Sequence, residues 1–169
     1  DIGGTNLAYG LVSEDGTLIK KVSYPVDSDM DDISITKCMA ETTVKFISDC
    51  NISQEEVVSI GLGVPGVCND AKGVIVYTVN MPFRKTNVAK IFSEYTSIPI
   101  HMANDANCAA LGEALCGGAK GYKTSVTITL GTGVGGGIII DGKIYVGANG
   151  AAGELGHMVI RAKGEKCSC

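Results

Sequence analysis

Apolar and polar residues change their spacing several times along this chain, and each change marks an element. NLAYGLVS (6–13) and TLIKKVSYPV (17–26) read as strands on either side of the turn SEDG (13–16), so a β-hairpin is expected. An acidic loop, DSDMDD (27–32), then leads into a segment where Ile35, Met39, Phe46 and Ile47 keep roughly helical spacing, which predicts a helix over about 33–50. VVSIGLGVPG (57–66) reads as a strand running into a glycine- and proline-rich turn, and GVIVYTVN (73–80) as another strand. In NVAKIFSEY (87–95), Val88, Ile91, Phe92 and Tyr95 follow the i, i+3, i+4, i+7 pattern of a helix. IPIHMA (98–103) is a short strand, and DANCAALGEALCGG (105–118) is a helix stopped by Gly117-Gly118. KGYKTS (120–125) links to VTITL (126–130) and GGGIIIDGKIYVG (135–147), strands around one glycine loop with Asp141-Gly142 as a tight turn. The order implies a mixed sheet covered by helices, an α/β fold.

Composition narrows the class. Of 169 residues, 45% are apolar and 19% charged, with a formal charge of −4, as in a soluble, mildly acidic protein. No Lys/Arg cluster offers a footprint for nucleic acid, and no apolar run approaches the length of a membrane span. Seven cysteines are an odd number. Cys38, Cys50, Cys68, Cys108 and Cys116 are scattered singly through apolar or helical contexts, so buried thiols in a reducing cytoplasm are expected rather than a disulfide framework. The tail KGEKCSC supplies no element to close the layer begun at residue 126, and DIGGTN at the start reads as a turn whose leading strand is cut short. A fragment is therefore expected.

Two glycine loops and one carboxylate carry the chemistry. LGTGVGGG (130–137) contains a formal GxGxxG at Gly131, Gly133 and Gly136, but a strand follows it where a dinucleotide fold needs a helix. No Gly-Lys-Ser/Thr closes a Walker A loop either. What remains is a hairpin loop whose backbone N–H groups can form an anion nest, with Thr129 and Thr132 as hydroxyl donors. In DIGGTN (1–6), Gly3 and Gly4 let the chain turn under a phosphate, Thr5 can donate its hydroxyl, and Asp1 can hold Mg²⁺ through water. Each loop alone is equally readable as a tight turn; two in one chain, both between strands, favour phosphate binding. Asp105 stands where a strand ends and a helix begins, which suits either a helix-capping acid or the base of a phosphotransferase. Glu154 and His157, three apart, can share a face and grip vicinal sugar hydroxyls or be surface chemistry. His101, in an apolar strand, reads as a packed or hydrogen-bonded histidine. His157 with Cys167 and Cys169 has zinc-ligand character but lacks a fourth ligand.

These stretches, in this order from Asp1 to Cys169, resemble the ROK family of repressors, open reading frames and kinases, and most of all its bacterial glucokinase branch. DIGGTN looks like the family's first phosphate motif, with Asp1 the metal-associated acid and Gly3, Gly4 and Thr5 around the phosphates. LGTGVGGG looks like the second, with Thr132 and Gly133 at the nucleotide. NDANCAALGE (104–113) is similar to the catalytic segment, which implies Asp105 as general base and Asn104 as a sugar ligand. GELGH (153–157) matches the segment whose Glu154 and His157 contact the sugar, His157 also serving zinc. KCSC (166–169) looks like the opening of the zinc motif, giving Cys167 and Cys169 as further ligands. VPGV (64–67) and Asn80 match positions lining the sugar cleft, Gly66 by its backbone. The family's usual tryptophan after Asn80 is replaced by Phe83, expected to cover an apolar sugar face instead.

The resemblance implies an actin-like, ribonuclease-H-like ATPase fold with two α/β lobes and the site in their cleft. Residues 1–120 would form the smaller lobe and 121–169 the beginning of the larger one. It further implies ATP, Mg²⁺ and structural Zn²⁺ as cofactors, a hexose (glucose above all) as substrate, a homodimer, and a cytoplasmic location without nucleic-acid or membrane partners. N-acetylmannosamine, fructose and allose are competing sugars. The intact first phosphate motif favours a kinase over the family's sugar-sensing regulators, and the Glu154–His157 pair argues against an actin-like structural ATPase.

Overall fold

A two-residue stub of strand organises the first of the chain's two units, Asp1–Asp105. The computed structural model describes residues 1–27, 29–131 and 133–166. The expected hairpin is present: β1 (Asn6–Val12) pairs antiparallel with β2 (Leu18–Pro25), Asn6 opposite Pro25, with an irregularity between Leu11 and Val12. Ahead of it, the amino group of Asp1 donates to Ala8 O at 2.7 Å and its carbonyl accepts from Ala8 N at 3.0 Å. The next N–H, of Ile2, donates the other way to Gly63 O at 2.9 Å. The stub thus joins β1 on one side and β3 (Ile60–Val64) on the other.

β3 runs parallel to β7 (Ile100–Asn104), Ile60 opposite Ile100 and Val64 opposite Asn104. Between them in the chain lies an antiparallel sheet of β4 (Gly66–Asn69), β5 (Val74–Thr78) and β6 (Arg84–Asn87). Only β5 is plain in the sequence. The single strand expected over 57–66 stops at Val64, before Pro65, which has no N–H to extend the ladder, and Gly66 opens β4 in a different sheet. β6 carries no apolar alternation, and pairing with β5 holds it in place.

α1 (Asp32–Asp49) matches the expected helix and has signals at both ends. Asp31 caps its start, Oδ1 accepting from Ser34 N at 2.7 Å. At its end Asn51 takes the left-handed conformation at φ 56°, with Asn51 N donating to Ser48 O (2.9 Å) and Ile52 N to Ile47 O (3.4 Å), a Schellman closure with asparagine in glycine's place. Ile35 and Met39 of α1 join Ile2, Leu7, Leu62, Val64, Ile75, Phe83, Val88, Phe92 and Met102 in one core. α2 is shorter than expected, Val88–Phe92, because the chain then tightens to an i→i−3 bond from Tyr95 N to Phe92 O.

In the second unit, Ala106–Cys169, α3 (Asp105–Cys116) supplies all but its first residue. The division expected near residue 120 falls inside this unit. β8 (Ser125–Leu130) and β9 (Val134–Ile140) form an antiparallel hairpin, with β10 (Lys143–Ile144) returning along β9 after Asp141-Gly142. A 3-10 turn, Leu155–His157, follows. The alternation of β8 is inverted relative to a solvent-facing strand: Ser125, Thr127 and Thr129 are half-buried, whereas Val126, Ile128 and Leu130 are exposed.

The five described cysteines are thiols, but Cys108 and Cys116 are exposed on α3, contrary to the expected burial, since the helix packs through its alanines. Among the described residues no helix is long and apolar enough to cross a membrane.

Tyr9 of β1 stands edge-on to Tyr24 (ring centroids 5.9 Å) and against Phe46 of α1 (6.2 Å), and burial pushes its phenol up to about 12. The unfolded chain ionises this group near pH 10. Stability linked to Tyr9 is therefore intact below pH 10 and falls as pH rises towards 12. Urea unfolding measured at pH 9 and pH 11 should show a smaller loss across this interval for Tyr9→Phe than for the parent chain.

Candidate active site

Parallel strands β3 and β7 end at the same edge, so the residues following each emerge side by side. This edge is where open α/β sheets place ligands. Gly63, the penultimate residue of β3, marks the convergence. A Cβ built on it would lie 3.1 Å from Asp1 Oδ1 and 3.8 Å from the Cα of Asp105. The carboxylate of the first loop and the backbone bearing the second acid thus meet over one missing side chain. Asp1 and Asp105 are both exposed. Sequence reasoning did not single out Gly63; glycine inside the apolar strand IGLGV was the available signal.

The neighbouring residues are held to the same edge. Asn104 Nδ2 approaches Gly66 O at 3.5 Å, bringing together two of the expected sugar ligands. Gly66 can be nothing larger, because a Cβ there would sit 2.3 Å from Tyr77 O across the β4–β5 ladder. In the DIGGTN turn, Gly3 N donates to Asn6 O at 2.9 Å, and Thr5 is exposed with its hydroxyl accepting from Asn6 Nδ2 at 3.1 Å. A Cβ on Gly4 would lie 3.8 Å from the Cβ of Asn80, so the exposed Asn80 stands beside this turn. One expectation needs correction. Phe83 does not face a ligand: at the end of the connection before β6 it is fully buried in the core that also holds Val88 and Phe92. His101, expected to be packed or hydrogen-bonded, is exposed and takes the second course, its Nδ1 lying 3.3 Å from Asp70 Oδ2.

The second unit contributes separate pieces. The glycine run divides by role. Gly131 N donates to Gly133 O at 3.0 Å across the hairpin tip, and a Cβ on either glycine would meet nothing within 4 Å, so their bareness leaves open space for an anion. Gly137 instead lets α3 approach β9: a Cβ there would lie 2.4 Å from the Cβ of Ala110 and 2.8 Å from Ala106 O. Glu154 precedes the 3-10 turn and His157 is its last residue, with Glu154 Oε2 and His157 Nε2 3.5 Å apart. Thr132, Cys167 and Cys169 lie outside the described residues. Among the described residues, no three His, Cys, Asp or Glu side chains gather to hold a metal ion.

Comparison with known proteins agrees with this reading. The model of the ROK family matches residues 1–169. A glucokinase from Halalkalibacterium halodurans is 38% identical over 170 residues, 100% of this chain and 52% of the relative. A xylose repressor from Bacillus spizizenii is 31% identical over 169 residues, 100% of this chain and 44% of the repressor. Among solved structures, a ROK family glucokinase from Streptomyces griseus, in complex with glucose and AMPPNP, superposes with a TM-score of 0.82 at 29% identity, over 95% of this chain and 49% of that one. The chain thus spans about half the length of the glucokinases it matches. Its fold is the actin-like α/β ATPase fold of these sugar kinases.

The two kinds of glycine predict opposite behaviour. Gly137→Ala should lower unfolding stability by about 1–3 kcal/mol, the usual cost of overpacking. Gly131→Ala should leave the thermal midpoint unchanged and weaken nucleotide binding, as read by calorimetric titration with ATP and Mg²⁺.

Proposed function

The chain belongs to the ROK family, and we propose that it carries part of an ATP-dependent sugar kinase, transferring the γ-phosphoryl group to the 6-hydroxyl of a hexose, with glucose preferred. The observation that carries this reading is the convergence of Asp1 and Asp105 on Gly63 at the carboxyl edge of the β3–β7 pair. One acid next to a phosphate-type turn and one at the start of a helix fit two jobs in phosphoryl transfer. Asp1 would hold the magnesium ion of the nucleotide, while Gly3, Gly4 and Thr5 would present backbone and hydroxyl donors to phosphate oxygens. Asp105 accepts a hydrogen bond from the attacking hydroxyl, aims it, and takes its proton as the bond to phosphorus forms. Because the transition state is loose, aim matters more than basicity. ATP, when bound, supplies the phosphoryl group.

In this proposal the sugar ligands are Asn80, Asn104, the Gly66 backbone, Glu154 and His157. Thr132 and Gly133 belong to the second phosphate loop. A zinc site of His157, Cys167 and Cys169 and a homodimer are also part of it, and no step of the reaction passes through the zinc.

A second reading, a sugar-sensing regulator, is supported by the 31% identity to a xylose repressor. The intact acid-bearing turn favours the kinase, since a sensor has no use for a magnesium-holding carboxylate.

ADP release by the full-length protein, with ATP and Mg²⁺ across glucose, N-acetylmannosamine and fructose, separates the two. Sugar-dependent turnover is expected, falling about 10²–10⁴-fold in Asp105→Ala. Tight sugar binding without turnover would give the regulator instead.

A further inference from the structure

Arg84 occupies an unusual position for an exposed side chain. It is the first residue of β6, opposite Tyr77 of β5, and the five residues between those strands, VNMPF (79–83), form their connection. Its Nη1 lies 2.7 Å from Thr78 O, 3.2 Å from Met81 O and 2.6 Å from Phe83 O. Three carbonyls, one from the last residue of β5 and two from the connection, therefore converge on a single nitrogen. The guanidinium carbon also sits 4.2 Å from the centroid of the Tyr77 ring. This nitrogen carries two N–H donors, which the three carbonyls share, and the planar, permanently charged guanidinium also lies against the tyrosine ring.

The residues it binds frame Asn80. Thr78 and Phe83 are fully buried, Met81 nearly so, and Thr78 Oγ1 donates to Met81 O at 2.8 Å. Val79 and Asn80 are left outside, at the tip, with Asn80 beside Gly4 of the DIGGTN turn. The side chains of Met81 and Phe83 fix how deep the connection sits. They do not fix the direction of its carbonyls, which sets the direction in which Asn80 leaves the backbone. The Arg84 guanidinium supplies that restraint on all three carbonyls, sharing Met81 O with the Thr78 hydroxyl.

We propose that Arg84 is a positioning residue for the sugar, acting through Asn80 without touching the substrate. This rests on the assignment of Asn80 as a sugar ligand in the kinase reading. Arg84 then governs affinity for the hydroxylated substrate and not for the nucleotide.

A double-mutant cycle in the full-length protein tests it, with Arg84→Met, Asn80→Ala and the pair, using glucose, N-acetylmannosamine and fructose as probes. Arg84→Met is expected to raise the KM of the best sugar about tenfold while kcat and the KM for ATP stay within about twofold, the pattern of a lost binding contact. The double variant should match Asn80→Ala alone, because one residue works through the other. Arg84→Lys, which keeps the charge near Tyr77 without the planar guanidinium, should fall between, and it carries the cycle if Arg84→Met fails a circular-dichroism check of folding. An unchanged sugar KM in Arg84→Met, an unaffected Asn80→Ala, or single effects that simply multiply would overturn the proposal. Calorimetric sugar titration of the same variants separates this from the kinase reading. If the parent protein binds a sugar but does not turn over, the kinase reading fails and the binding cycle still decides Arg84. If it binds none of the three sugars, both fail.

Discussion

The parallel pairing of β3 with β7 is the constraint on which the rest of the first unit depends. Register places Val64 opposite Asn104, so the chain leaves both strands at one edge, towards Gly66 on one side and Asp105 on the other. Residues about forty positions apart in sequence become neighbours through backbone hydrogen bonds, before any side-chain contact is considered. The Ile2–Gly63 bond adds a third participant, bringing the DIGGTN turn to the same edge. An acid at each of two chain crossings is the result, and Gly63 keeps the space between them clear.

The glycine content acquires its meaning from this framework. Gly63 and Gly66 stand at the site but answer to different neighbours, Gly63 to a carboxylate and Gly66 to the backbone of β5. In the second unit, Gly137 admits the alanine face of α3, while Gly131 and Gly133 face open space. One run of similar residues thus combines helix packing with a bare loop. The separation has a simple physical basis, since a strand residue alternates between two covered faces and a hairpin tip has none.

Where the expectations failed, the failure has a definable cause. Phe83 has the sequence position of a ligand-facing aromatic, yet the β5–β6 connection turns it into the core and leaves the tip to Val79 and Asn80. Burying a whole phenyl ring is worth roughly 2–3 kcal/mol, so an aromatic within reach of the core is drawn there unless something else fills the space. The exposed cysteines of α3 follow from the same competition, because alanine at Ala106 and Ala110 makes the closest approach to β9.

Much was legible without coordinates. Local signals fixed α1 within a residue at each end, since Asp31 and Asn51 cap it and its apolar spacing is regular. The first hairpin, β5, β7, α3 and the β8–β9 hairpin followed from alternation and turn residues, and the candidate residues Asp1, Asn80, Asn104 and Asp105 were named from their resemblance to family motifs. The sequence could not show that 57–66 divides between two sheets, that β6 exists, or which face of β8 is covered, because alternation marks two faces without saying which one meets a neighbour. The roles of Gly63 and Arg84 were equally hidden. Both depend on what the tertiary fold brings to them, a carboxylate from the chain's first residue in one case and three convergent carbonyls in the other. Residue types and spacing determine local conformation and the chemistry on offer; only the pairing of distant strands decides which groups meet.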